Sequence, residues 1–391
     1  MAGNFEGIKT RNFGIEIEMT GLTRCQAARA IAKVLGGTAF HEGGSYDKYT
    51  VDDEQGRTWS IVYDGSVKCV DANGNSASKS YSVELNSPVL GYEDIPLLQE
   101  VIRALRHAKG RCGPEYCCGT HIHISADDYT PQQIRNLVNI FASKEDFLWD
   151  ALQVSSARSG YCAKSDPRFV EELNRKKPKT IEKIKELWYR GNMSEQYRHY
   201  SNTRYHALNL HSYFQHGHYE IRCCNASLHA GEVRAQIVLA LAISNAAMTK
   251  KYCSPSVSHS DNMRYSFRVW LLNLGLIGDE YKNCRTHLLK HLTGDIAWRH
   301  PEDGVAQRER LRQERIATRS QVERASVDMP NDGMPAREQE QRNEPPCDEL
   351  VEPVSEVREE VGETPDENLE AAVSDCDDFE ETEDEGMAMS M

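Results

Sequence analysis

Four short stretches carry side chains whose types and spacing could do metal chemistry. The first is Phe13-Gly14-Ile15-Glu16-Ile17-Glu18-Met19. On a β-strand successive side chains point to opposite faces, so Ile15, Ile17 and Met19 share one face and Glu16 and Glu18 the other. Two residues of strand rise set the acid Cα atoms about 7 Å apart. At an effective dielectric of about 20, two charges so spaced repel by about 2.4 kcal/mol. A divalent cation relieves that repulsion, and paired metals about 3.5–4 Å apart fit between carboxylates at this spacing. Two solvated glutamates on an edge strand would give the same letters.

The other stretches repeat the layout. Glu84 alternates with Val83 and Leu85 in Tyr81-Ser82-Val83-Glu84-Leu85, and Glu220 shares a face with Arg222 in His218-Tyr219-Glu220-Ile221-Arg222-Cys223. Gly119-Thr120-His121-Ile122-His123 puts two imidazoles on one face, opposite Ile122 and Ile124. Brought onto one sheet surface, Glu16, Glu18, Glu84, Glu220, His121 and His123 form a carboxylate-rich set that suits Mg2+ or Mn2+ better than zinc. Arg204 and Arg222 add guanidinium groups for anionic oxygens. Metals and arginines aimed at phosphates are what phosphoryl transfer requires, because its barrier falls by positioning and charge neutralisation. A zinc site from Cys112, Cys117 and the two histidines is a competing reading, although Cys-x4-Cys followed by His-x-His departs from structural-zinc spacings. Glu220 with Arg222 also reads as a surface ion pair, and Asp64 in Asp64-Gly65-Ser66 as a turn residue. No Walker A loop, Gly-x-Gly-x-x-Gly or Gly-x-Ser-x-Gly occurs.

These residues need elements to hold them. Strands are expected at 13–19, 59–63, 81–85, 119–125, 205–210 and 218–223, with Arg204 heading the fifth. Thr23 caps a helix carrying Ala27, Ala30, Ile31 and Val34, which Gly36-Gly37 ends. Ile95 to Leu105 has amphipathic spacing, and Thr130-Pro131 opens a long helix. The stretch 231–249 reads as a buried helix, and the apolar run 267–277 completes the body. Residues 41–55 read as a polar loop. Residues 155–200, with the basic run 174–179, read as a polar insertion, either a solvated loop or a flap at the mouth of a site.

Charge divides the chain. Residues from 301 onward hold 28 acids and 9 bases, a net −19, which leaves the first 300 residues at about +5. A slightly basic body suits a nucleotide, but not a nucleic-acid polymer. With 39% hydrophobic residues and a mean hydropathy of −0.63, part of the chain is expected not to fold. The expected division is a catalytic body over 1–300, a charged helix or linker over 301–326, and a disordered acidic tail over 327–391 that solubilises the chain or recruits a partner. There is no membrane-length apolar run and no signal-peptide pattern at the start, so a cytoplasmic protein with free thiols is expected.

In order along the chain, Gly14-Ile15-Glu16-Ile17-Glu18, Asp64-Gly65-Ser66-Val67, Val83-Glu84-Leu85-Asn86-Ser87-Pro88, Gly119-Thr120-His121-Ile122-His123, Arg204-Tyr205 with Asn209, and Tyr219-Glu220-Ile221-Arg222 resemble the amidoligase family of the glutamine synthetase-like carboxylate–amine ligases. The resemblance covers about residues 10 to 250. It implies an α+β fold, a curved antiparallel sheet with the site on its concave face and helices on the convex one. It implies ATP and Mg2+ or Mn2+ as cofactors, and an amide formed from a carboxylate and an amine through an acyl phosphate. The substrates would be an amino acid, peptide or protein. Glu18 and Glu84 would hold one metal, and Glu16, His121 and Glu220 the other. His123 and Asn209 would lie at the nucleotide, Arg204 and Arg222 would neutralise the transferred phosphoryl group, and Asp64 would position the amine. A phosphotransferase of guanidino-kinase type on the same fold, or a non-catalytic scaffold using the acidic tail, are the alternative readings. Neither nucleic acid nor membrane is an expected partner.

Overall fold

The computed structural model describes residues 5–257 and 259–327, without the side chains of residues 301 and 321–327. The expected acidic tail therefore lies outside the described residues. The chain divides into two compact units, Met1–Pro301 and Glu302–Met391.

The first unit runs β1 (Phe13–Met19), α1 (Arg24–Leu35), β2 (Ala39–Gly43), β3 (Lys48–Asp52), β4 (Thr58–Val62), β5 (Val83–Asn86), α2 (Ile95–His107), β6 (Gly119–Ser125), α3 (Pro131–Leu152), α4 (Pro167–Lys176), α5 (Ile181–Trp188), β7 (Leu208–Asn209), α6 (Leu210–His216), β8 (His218–Asn225), α7 (Ala230–Thr249), α8 (Met263–Asn273) and α9 (Lys282–Leu289). All eight strands join one antiparallel sheet in the order β2-β3-β4-β5-β1-β6-β8-β7. β1 is thus interior, not an edge strand. Its apolar letters, with Val83, Leu85, Ile122, Ile124 and Tyr219, are buried in the core. Helix α1 packs on β3 and β4, α7 on β6 and α3 on β8, while α2 lies against α1 and α7. One face of the sheet is therefore covered by helices, and the Glu and His residues occupy the other.

Local signals work where they are chemically explicit. The Thr23 and Thr130 side chains accept from Gln26 N and Gln133 N, completing capping boxes. Gly36 ends α1 at φ 68°. Three expectations fail. The region read as a polar loop at 41–55 contains β3 and the end of β2; in β2 the exposed Phe40, His41 and Glu42 show no buried period. The strand expected at 205–210 shrinks to Leu208–Asn209, because Asn209 accepts from His211 N and Ser212 N and starts α6. Arg204 consequently sits in a 3-10 turn at Asn202–Arg204, outside the sheet. The insertion 155–200 holds α4 and α5, capped by Asp166 and Thr180.

The second unit, Glu302–Met391, holds all but the first residue of α10 (Pro301–Val327). Its Val305, Leu311 and Ile316 are exposed. No helix among the described residues is long and apolar enough to cross a membrane.

Candidate active site

Strand register assembles the polar face. In an antiparallel pair, directly opposed residues share a face. Glu18 stands opposite Glu84, Glu16 opposite His121, and His123 opposite Glu220, which in turn stands opposite Asn209. A row of polar groups therefore crosses five neighbouring strands, β5-β1-β6-β8-β7.

His121 is the hinge of the row. Its Nδ1 lies 2.9 Å from Glu16 Oε2 and 3.4 Å from Glu220 Oε1, and its Nε2 lies 3.8 Å from Glu18 Oε1. His123 Nε2 is 3.0 Å from Glu16 Oε1, and its Nδ1 is 3.2 Å from His218 Nδ1. Arg222 pairs with Glu220 and donates through Nε to Tyr161 O at 3.3 Å. Oxygen and nitrogen atoms gather into two candidate ligand groups, each within 4.8 Å: Glu18, Asp64 and Glu84, and Glu16, His123 and Glu220. The expected partition differs in two places. Asp64 joins Glu18 and Glu84, and His123 stands in the second group where His121 was expected.

Electrostatics separate the groups. Burial pushes Glu84 well above the usual carboxylate range, reinforced by the charges of Glu16, Asp64 and Glu18. Burial also raises Glu18, against the pull of His121. Burial acts upward on Glu16 too, but His123 and His121 outweigh it and hold that carboxyl well below its ordinary range. His123 is raised: Glu16 overcomes the opposing effect of burial. Burial, with His123 and His216, lowers its neighbour His218 to about 4. Burial and like charge thus favour the neutral form at the Glu84 end, whereas the imidazoles favour the charged carboxylate at Glu16.

Asp64 does two things. Its Oδ1 accepts from Ser66 N at 2.7 Å, so the turn role is real, and its carboxylate still faces Glu18 and Glu84. Buried Ser82 fixes it, accepting from Asp64 N at 3.0 Å. Asn209 stands at the end of the row. Its Nδ2 donates to Glu220 Oε2 at 2.7 Å while Oδ1 caps α6, which leaves the second amide hydrogen free of these two contacts. Arg204 is not brought into the row; its guanidinium lies over the rings of Tyr200 and Tyr205. Cys112 and Cys117 fall in no candidate ligand group with the two histidines among the described residues, which removes support for the zinc reading.

Two further residues support the row. Gly119 N donates to Glu18 Oε2 at 2.6 Å, and a Cβ on Gly119 would lie 2.0 Å from an Arg158 nitrogen. Buried Arg158 in turn donates to Cys224 O at 2.6 Å and Arg222 O at 3.0 Å. Gly119 opens the strand that carries the two histidines and is visible as a small residue there. Arg158 lies in a polar insertion with no local signal. A third candidate ligand group, His229, Glu232 and His287, lies apart from the row. There Glu232 is engaged by Lys290 and Ser227, and His229 Nδ1 accepts from Glu232 N at the positive end of α7. Those contacts are structural and disfavour a cation.

A family model described as "Putative amidoligase enzyme" matches residues 9–244, from just before β1 to near the end of α7. No curated protein matches the chain. The match spans more than half of the 391 residues and takes in every strand of the sheet, so the chain belongs to the amidoligase family, a family of ligases.

Proposed function

We propose that the protein is an ATP-dependent carboxylate–amine ligase with a glutamine synthetase-like fold, forming an amide through an acyl phosphate with Mg2+ or Mn2+. The single observation that carries this reading is the row of Glu84, Glu18, Glu16, His121, His123 and Glu220 across adjacent strands, with far more carboxylate than its arginine can balance. The donor set fits the metals. Glu18, Asp64 and Glu84 offer oxygen alone, as hard cations prefer, and Glu16, His123 and Glu220 add one imidazole. Those six residues would hold the cations, which when bound neutralise phosphate charge and polarise the transferred phosphoryl group.

The chain's own groups perform the remaining work. Arg222, tied to Glu220, presents a fixed positive charge to anionic oxygens on the face. His121 keeps Glu16 and Glu220 apart and orients both. The substrate carboxylate attacks the terminal phosphorus of ATP, ADP leaves, and an amine then displaces phosphate from the acyl carbon. The amine must lose a proton, and Asp64, which also faces Glu18 and Glu84, is the group we assign to position it. Screening amino acids and short peptides for Mg2+-dependent release of ADP, free phosphate and an amide tests the reading. Release of ADP without free phosphate, with a phosphorylated acceptor, would replace the ligase with a kinase. No turnover with any acceptor would count against both.

A further inference from the structure

Strands β2 and β7 are opposite edges of the sheet, yet side chains beside them touch. Tyr46, in the β2–β3 turn, and Tyr200, in the segment between α5 and β7, approach with their Oη atoms 3.1 Å apart. Tyr46 O accepts at 2.9 Å from Tyr63 N, the residue before Asp64. The contact therefore lies near the Asp64 end of the row. Segment 193–205 thus acts as a strap from the β7 edge to the β2–β3 hairpin. The hairpin end is firm, because Arg24 Nε donates to Asp47 Oδ2 at 2.9 Å. The strap's base is fixed by Tyr189 Oη and His211 Nδ1, 2.7 Å apart.

The strap carries a guanidinium with an unusual setting. Arg204 lies 5.7 Å from the Tyr200 ring centroid and 5.8 Å from that of Tyr205. Its one hydrogen bond among the described residues goes from Nη1 to His199 O at 3.2 Å, and no carboxylate pairs with it. A guanidinium within cation–π distance of two phenol rings is not neutralised by them, and its fork suits one carboxylate. Tyr200 and Tyr46 are 63% and 49% exposed, which leaves ring surface beside that fork for an organic body.

Building on the ligase reading, we propose that Tyr46, Tyr200 and Arg204 recognise the carboxylate substrate, the anion on Arg204 and a planar or apolar body against the two phenol rings. One guanidinium balances one carboxylate. The charge of a triphosphate belongs to the cations of the acid row below. The substrate class is then an amino-acid-like or peptide carboxylate with an aromatic or apolar body.

The test is 19F NMR of the full chain with 3-fluorotyrosine, its signals assigned through Tyr46→Phe and Tyr200→Phe. The probes are N-acetyl-L-phenylalanine, its amide, and ATP with Mg2+. The acid is expected to shift the Tyr46 and Tyr200 signals saturably, with the amide inert and binding weakened about tenfold or more in Arg204→Gln. Equal shifts from the amide, unchanged binding in Arg204→Gln, or displacement of the acid by ATP would each overturn the proposal. ADP formation is scored separately. Acid binding without any ADP would sink the ligase reading and leave the clamp standing, and turnover with unmoved tyrosines would do the reverse.

Discussion

Two places in the first unit bury carboxylates beside arginine, and they settle their charge differently. At Arg57 the guanidinium donates to Asp53 Oδ2 at 2.8 Å and to both oxygens of Asp94 at 2.8 and 3.1 Å. Backbone N–H groups of Gln55, Arg57 and Gly91 and the Trp59 indole add further donors. Burial raises both acids, but Arg57 and these donors outweigh it and hold them below the ordinary range. At the candidate site, Glu16, Glu18, Asp64, Glu84 and Glu220 face one paired guanidinium, Arg222, and Glu84 is driven upward. The first cluster is finished by the protein. The second is left incomplete, at a cost in stability that a structural cluster would not carry, and a bound cation would complete it.

The sharpest way to break this contrast is to exchange the consequences. Glu16→Gln is expected to cut metal-dependent ATP turnover on the order of a hundredfold or more while leaving the chain folded. Turnover within a few-fold of wild type would place Glu16 outside the machinery. Arg57→Ala should do the opposite. It strands two buried carboxylates and should cost about 3 kcal/mol in a urea titration, with per-molecule turnover of the folded fraction preserved.

The same contrast predicts opposite pH slopes. Asp53 and Asp94 have depressed folded pKa values, so their contribution is fully present above the ordinary Asp value of about 3.9 and is lost as pH falls through the folded values. Glu84 is raised when folded, so in metal-free protein its contribution is present below about 4.3 and is lost as pH rises through the folded value. Glu84→Gln should therefore stabilise the metal-free protein at neutral pH, by about 2–4 °C for each kcal/mol recovered, and should flatten that slope. A lower melting temperature in that variant would mean that Glu84 is already compensated.

Most of the acid row was legible in the sequence because strand alternation is a strict geometric rule. Once 13–19, 83–86, 119–125 and 218–225 are strands, their acids and imidazoles have only two faces to choose from. Their convergence required register, which no single strand encodes. Asn209 shortened the expected strand because its side chain caps α6. Arg158 and the Tyr46–Tyr200 contact could not be read at all: they join segments 64 to 154 residues apart through polar stretches without periodicity. The buried face was legible by hydrophobic pattern, whereas exposed β2 had none to offer.

The central claim, that the acid row exists to hold divalent cations, is tested most directly by anomalous diffraction from crystals soaked in Mn2+ with a non-hydrolysable ATP analogue. Manganese peaks are expected within ligand distance of Glu18, Asp64 and Glu84 and of Glu16, His123 and Glu220. A map without peaks at either group, or with manganese only at His229, Glu232 and His287, would contradict it.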